Sequence, residues 1–232
     1  MNNQEEWIIT LKKIPVMIFG LFLYGTGTVA TIHASMGVSP WDVFHIGVSN
    51  HTPLTLGQVS QTTGLIIILI SYFIGIVPGL ASVCNMFFIG FFIDVVNNTG
   101  IFKIPQTFIG KLILLFFGII IIGWGSYFYL KVKLGAGPRD ALMEGLLRKF
   151  DKPVWMIRGA IEITVLIIGY FLGGPVGVGT LITAFTIGFA VQFAFKIGKY
   201  DSKTAVHENL VDMFRRLKMS KEEVVEVKKT EV

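Results

Sequence analysis

Charge is scarce in this sequence. Only 15% of its 232 residues are Asp, Glu, Lys or Arg, where a soluble domain carries about 25%. A single cysteine, Cys84, excludes a disulfide scaffold. The chain also lacks the polar composition of a disordered segment and the basic stripes of a nucleic-acid-binding module. Apolar residues take their place: they make up 53% of the chain, with 20 Phe, and mean hydropathy is +0.68. The few charges collect at the ends and in short loops. This is the composition of a multi-span protein of the lipid bilayer. Its formal charge of +5 reflects membrane orientation, with no nucleic-acid partner implied.

A helix needs roughly 20 apolar residues to cross a bilayer core of about 30 Å. Six segments meet or approach this: 14–35, 56–75, 80–97, 108–130, 154–172 and 176–197. Pro-Gly turns at Val77-Pro78-Gly79 and Gly173-Gly174-Pro175 make helical hairpins of the second with the third and the fifth with the sixth. The first segment is too long for a signal-peptide core, and Ile32-His33-Ala34 is a poor cleavage site, so it reads as a span. With the N-terminus inside, 17 Lys and Arg fall on the cytoplasmic side and only Lys103 and Lys111 outside. The bias predicts two cytoplasmic termini.

Residues 14–94 align with 112–192 at a constant offset of 98, without a gap, and 17 of the 81 positions are identical. Eight of the identities are glycines, among them Gly20/Gly118, Gly25/Gly123, Gly27/Gly125, Gly37/Gly135 and Gly90/Gly188. Each half holds three spans. Three is odd, so the second half must start from the opposite side of the membrane, as in the inverted repeats of secondary transporters. The predicted fold is an all-α membrane protein of six transmembrane helices arranged as two inverted three-helix repeats. Its parts are a cytoplasmic N-terminus (1–13), repeat one (14–97), an outer linker (98–107), repeat two (108–197) and a charged, amphipathic cytoplasmic tail (198–232).

Each repeat carries an extra short helix after a Pro-x-Asp motif, at about 40–50 and 138–150. In Ser39-Pro40-Trp41-Asp42, Ser39 suits an N-cap, Pro40 the first helical position, and Asp42 the third. Gly137-Pro138-Arg139-Asp140 is the counterpart. These are helix starts on any reading. A helix of about 11 residues spans only about 16 Å, so it either dips into the membrane or lies flat. Dipping from opposite faces would bring both N-termini to one central cavity.

The Gly37-x-Ser-Pro-Trp-Asp42 pattern, Gly135-x-Gly-Pro-Arg-Asp140 with Leu142-Met143, and Gly173-Gly174-Pro175-x-Gly177-x-Gly179-Thr180 resemble the YczE/YyaS/YitT-type bacterial integral membrane proteins over residues 14–195. The resemblance implies a bacterial plasma (inner) membrane protein. It implies neither a substrate nor catalytic residues, and it does not reach the tail.

Ionisable groups inside spans are site candidates by default. Arg158 and Glu162 lie four residues apart on one helix face, either as a charge-neutralising pair or as a substrate or proton site. Gln58, Ser60, Gln61, Thr62 and Thr63 form a polar band that either lines a path or joins helices. His45, one turn from Asp42, has a weak proton-linked reading. The binding-site candidates are Ser39, Trp41, Asp42, Gln58, Gln61, Arg139, Asp140, Arg158 and Glu162. No zinc-protease motif, nucleophile elbow or phosphate loop appears. No enzyme, catalytic residue, cofactor or metal is therefore expected.

In the tail, Val206, Leu210, Met213, Phe214 and Leu217 recur at helical spacing beside Arg215, Arg216 and Lys218. They suit anionic lipid or a protein partner. The leading expectation is a small secondary transporter or permease of an unidentified small molecule. A non-transporting accessory protein of another complex and a channel are the alternatives.

Overall fold

The computed structural model describes residues 3–201, 205 and 207–215, and among these all regular structure is helical. The main elements are α1 (Asn3–His33), α2 (Pro40–Ser49), α3 (Leu56–Phe73), α4 (Leu80–Thr99), α5 (Phe108–Leu130), α6 (Pro138–Phe150), α7 (Val154–Phe171) and α8 (Val178–Ile197). A further helical stretch covers 210–215. Among the described residues, six helices are long and apolar enough to cross a membrane: α1 from Trp7 onward, α3, α4, α5, α7 and α8. The tail residues Val206, Arg216, Leu217 and Lys218, with the rest of 216–232, lie outside the described residues.

The elements follow the sequence pattern closely, with one difference. α1 starts at Asn3 rather than near 14, and Pro15 falls inside it. A hydropathy run marks only the apolar part of a helix, whereas backbone bonding continues through polar helix formers such as Glu5 and Glu6. At 31 residues α1 is about 47 Å long, so its first turns project beyond the apolar layer.

Helix limits recur at the offset of 98: α3 and α7 start and end 98 residues apart, as do α4 and α8. The packing is reciprocal in the same register. A Cβ on Gly27 would stand 2.7 Å from the Gly118 carbonyl oxygen, and one on Gly125 would stand 2.8 Å from that of Gly20, so α1 and α5 cross backbone to backbone. Glycine is required there by close approach, not by conformation. The same glycines leave α1 and α5 unbroken. Gly25 instead meets Phe92 and Ile93, and Gly123 meets their counterparts Ala190 and Val191. Gly179 N–H donates to Met36 O at 2.7 Å, and Ala81 N–H to Leu134 O at 2.8 Å. The short helices are exchanged: α2 packs on α7, and α6 on α3. Equivalent positions of the two halves thus make equivalent contacts.

The core contains Met17, Leu21, Val29, Ala81 and Ile93. Large apolar side chains point outward, including Phe73 at 84% exposed and Phe171, Phe185 and Phe189 above 70%. That surface would be an aggregation liability in water and is the expected outer face in lipid.

The two hairpins depart from the symmetry. In the first, α3 and α4 are in close contact: a Cβ on Gly57 would stand 2.1 Å from the Gly90 carbonyl oxygen. The Asp94 carboxylate accepts from the Thr55 hydroxyl at 2.5 Å and from Gly57 N–H at 2.8 Å. In the second, α7 and α8 stand apart. Nothing lies within 4 Å of where a Gly188 Cβ would be, and Trp155, the counterpart of Gly57, is 75% exposed. Pro153 and Gln192 replace Thr55 and Asp94. The hydroxyl donor and carboxylate acceptor that tie the first hairpin are therefore absent from the second.

Candidate functional site

A cavity of about 580 Å³ is lined by residues of both α7 and α8, the helices that stand apart. Its walls come from the N-terminal ends of α2 and α6 and from the middle of α3. The N-terminal halves of α4 and α7, the C-terminal half of α5, most of α8, Tyr24 of α1, and Tyr200 and His207 of the tail complete them. These segments lie toward the end of the bundle that carries the α3–α4 turn, the α5–α6 loop and the tail. The opposite half is filled, with Val59, Ile93, Val96, Leu115 and Ile119 buried. The cavity is thus one-sided.

At its centre the two Pro-x-Asp motifs meet. The Arg139 guanidinium lies over the Trp41 ring, 4.5 Å from its centroid. These residues occupy equivalent positions of the two repeats, 98 apart. Stacking of this kind is worth about 0.5–2 kcal/mol, more where water is excluded.

Local rules position both motifs. Ser39 caps α2 by accepting from Asp42 N–H at 3.3 Å, and its hydroxyl donates to Asp42 Oδ2 at 2.5 Å. Asp42 is buried and does not face the cavity; its Oδ1 lies 3.8 Å from His45 Nδ1, beyond hydrogen-bond distance. His45 is 2% exposed, lines the cavity, and has no hydrogen-bond partner on either ring nitrogen. Gly137 begins α6 without a side-chain cap. Asp140, one residue beyond Arg139, shares a hydrogen bond with the Gly137 backbone and faces the cavity.

Arg158 Nε donates to Glu162 Oε1 at 3.0 Å, and both line the cavity beside the open seam. Of the nine site residues read from sequence, Ser39, Trp41, Arg139, Asp140, Arg158 and Glu162 line one cavity. Gln58 and Gln61 do not. Gln58 closes a capping box with Thr55, and Gln61 donates to Phe87 O at 2.9 Å. The polar band divides by helix face, and Ser60 and Thr63 are its cavity members.

Other wall residues carried no signal of their own: Tyr24, Tyr129, Thr183, Tyr200 and His207. Thr183 is buried with an unpartnered hydroxyl. It is the repeat counterpart of Asn85, which also lines the wall, so the offset of 98 could have found it.

Tyr200 and His207 belong to a strap formed by the tail. Glu208 N–H donates to Lys133 O, and Leu210 N–H to Pro78 O, each at 2.9 Å. The strap therefore crosses the α5–α6 loop and the α3–α4 turn. Tyr200 Oη is 3.4 Å from His207 Nε2. Burial and Lys133 push the His207 imidazole down from its ordinary 6.5, against the pull of Asp140 and Glu144. A docked histidine with a lowered pKa favours the neutral ring, so docking is complete above about 6.5 and weakens as pH falls below it. Amide exchange should check this. Protection of Glu208 and Leu210, compared at each pH with His207→Gln, should decline between pH 7.5 and 5.5. Equal pH dependence in both proteins would contradict the assignment.

A model described as a family of unknown function (DUF6198) matches residues 11–196. An uncharacterised membrane protein of Bacillus subtilis, YczE, is 37% identical over 179 residues, which is 75% of this chain and 81% of the relative. An uncharacterised Haemophilus influenzae protein is 32% identical over 82% of this chain and 87% of its own length. The uncharacterised protein YyaS of Bacillus subtilis is 27% identical over 71% and 83%. No solved structure matches.

Proposed function

Starting from a chain that belongs to this membrane-protein family of unknown function (DUF6198), we propose that it is a small secondary transporter of the bacterial inner membrane. It works by alternating access at the interface of two inverted repeats, with both termini in the cytoplasm. The observation that carries the reading is the unequal state of two equivalent hairpins: α3–α4 is closed while α7–α8 is open. A two-fold exchange of these states moves the opening from one end of the bundle to the other while leaving the Trp41–Arg139 centre in place. In this arrangement α3–α4 is the outer gate, α7–α8 is the inner gate, and the conformation described is inward-facing. The reciprocal contacts of the two halves and the count of Lys and Arg support the inversion.

The inversion is tested by sidedness. Single cysteines replace Asn50 and its counterpart Arg148 on a Cys84→Ala background. An impermeant thiol reagent should label Asn50→Cys from outside the cell and Arg148→Cys only after the membrane is opened. Labelling of both from one side would remove the inverted relation, and the transport reading with it.

A further inference from the structure

We propose that the cavity binds a small oxyanionic group, carboxylate or phosphate, on the Arg139 guanidinium at the junction of the two Pro-x-Asp helices. The proposal deepens the transport reading and rests on it for the fate of the ligand, though not for binding itself.

The charges decide the sign. Four charged side chains line the cavity: Arg139, Asp140, Arg158 and Glu162. Glu162 is held by Arg158, and Asp140 lies in the field of Arg158 and Arg139 and shares a hydrogen bond with the Gly137 backbone. Asp42, behind the wall, is held by Ser39 and faces His45. Arg139 differs from all of these. Among the described residues it makes no ion pair within 4 Å, although Asp140 and Asp42 lie near enough to feel its charge, and it rests on the face of Trp41. Stacking on an aromatic face fixes the guanidinium plane and leaves its N–H groups free at the edge, the geometry that receives an oxyanion in a fork.

The surroundings favour the same sign. The N-termini of α2 and α6, each begun by a proline, face the cavity. Helix starts carry positive partial charge and favour anions. A second, independent feature is polar and unsatisfied: Thr183 is buried in the wall with no partner on its hydroxyl, and His45, whose Nδ1 lies 3.8 Å from Asp42, makes no hydrogen bond through either ring nitrogen. Both can donate to an acceptor oxygen. Buried polar groups normally have partners, so these two are provision for a guest.

The cavity is lined by both α7 and α8, which stand apart, so entry between them would admit either a soluble anion or a lipid headgroup. Trp41 supplies the readout. Trp7, Trp124 and Trp155 are replaced by Phe, and Trp41 fluorescence of the purified protein is followed on addition of acetate, inorganic phosphate, short-chain (dihexanoyl) phosphatidate or tetramethylammonium. At least one of the three anions should give a saturable change. Its affinity should fall by about tenfold or more in Arg139→Gln, as expected for loss of a charged, forked contact, and hold in Arg148→Gln. Saturation by acetate or phosphate identifies a soluble anion, and saturation by phosphatidate alone identifies a headgroup.

The proposal is overturned if no anion saturates, if Arg139→Gln binds as well as the parent, or if tetramethylammonium matches the anions. If the triple Phe variant does not fold, the same titrations by calorimetry on the unmodified protein and Arg139→Gln give the same decision. Anion binding without any exchange of gates would count against transport and leave the site intact. Gate exchange without anion binding would do the reverse.

Discussion

A disulfide should form readily between cysteines placed at Gly64 and Met86, while a pair at Trp155 and Gly188 stays reduced in the same conformation. The first pair spans α3 and α4. A Cβ at position 64 would stand 3.3 Å from the Met86 Cβ, close to the roughly 3.5–4.5 Å that disulfides require. The crowding that Gly64 avoids comes mainly from Met86 Cγ at 2.8 Å, which the double substitution removes. The second pair spans α7 and α8, where nothing lies within 4 Å of a Gly188 Cβ.

With mild oxidant in membranes of a Cys84→Ala background, bridging of 64 to 86 should approach completion. A population that exchanges would also bridge 155 to 188 slowly, as the minor state is trapped. Once 64–86 is bridged, 155–188 should no longer form, because the outer gate cannot open to let the inner one close. Independent formation of both bridges in one molecule would mean that the hairpins are not alternating gates. A channel or a rigid accessory protein would then be the better reading.

How much of this was legible beforehand follows from the range of each interaction. The spans, the cap at Ser39, and the helix limits at Pro40 and Pro138 depend on local pattern, and they formed where the sequence placed them. The offset of 98 was equally legible, because glycines at backbone crossings admit no larger residue. The assignment of Gln58 and Gln61 to a binding path rested on polarity alone. Polarity does not say whether an amide serves a cap, a neighbouring carbonyl or a cavity, and here a cap and a carbonyl took them. His207 could not be found, because its place depends on two long-range backbone bonds of the strap. The open seam was not legible either. It reflects how closely each of two similar hairpins packs, which depends on many contacts between residues far apart in sequence.

Alanine at Gly57 and alanine at Gly188 should move the conformational equilibrium in opposite directions. In the closed α3–α4 hairpin a methyl at 57 would stand 2.1 Å from the Gly90 carbonyl oxygen and 2.5 Å from Asp94 Cγ. The first neighbour is backbone and cannot rotate away. Overpacking of this kind costs about 1–3 kcal/mol, and it is paid only where α3 and α4 touch. A cost confined to one state shifts the equilibrium by its full amount, roughly 5- to 150-fold toward the state with the outer gate open.

At Gly188 the methyl meets open space in the state described, so it costs nothing there. Once α7 closes onto α8, Trp155 or its neighbours would reach that surface, and the same methyl would then oppose closure. Gly188→Ala should hold α7 and α8 apart. Spin-label distances across each hairpin read both effects without knowledge of the substrate: α3–α4 should lengthen and α7–α8 shorten in Gly57→Ala, with the inward distances retained in Gly188→Ala. If Gly57→Ala lengthens α3–α4 and leaves α7–α8 unchanged, the close contact at Gly57 is simple packing and the hairpins are not coupled.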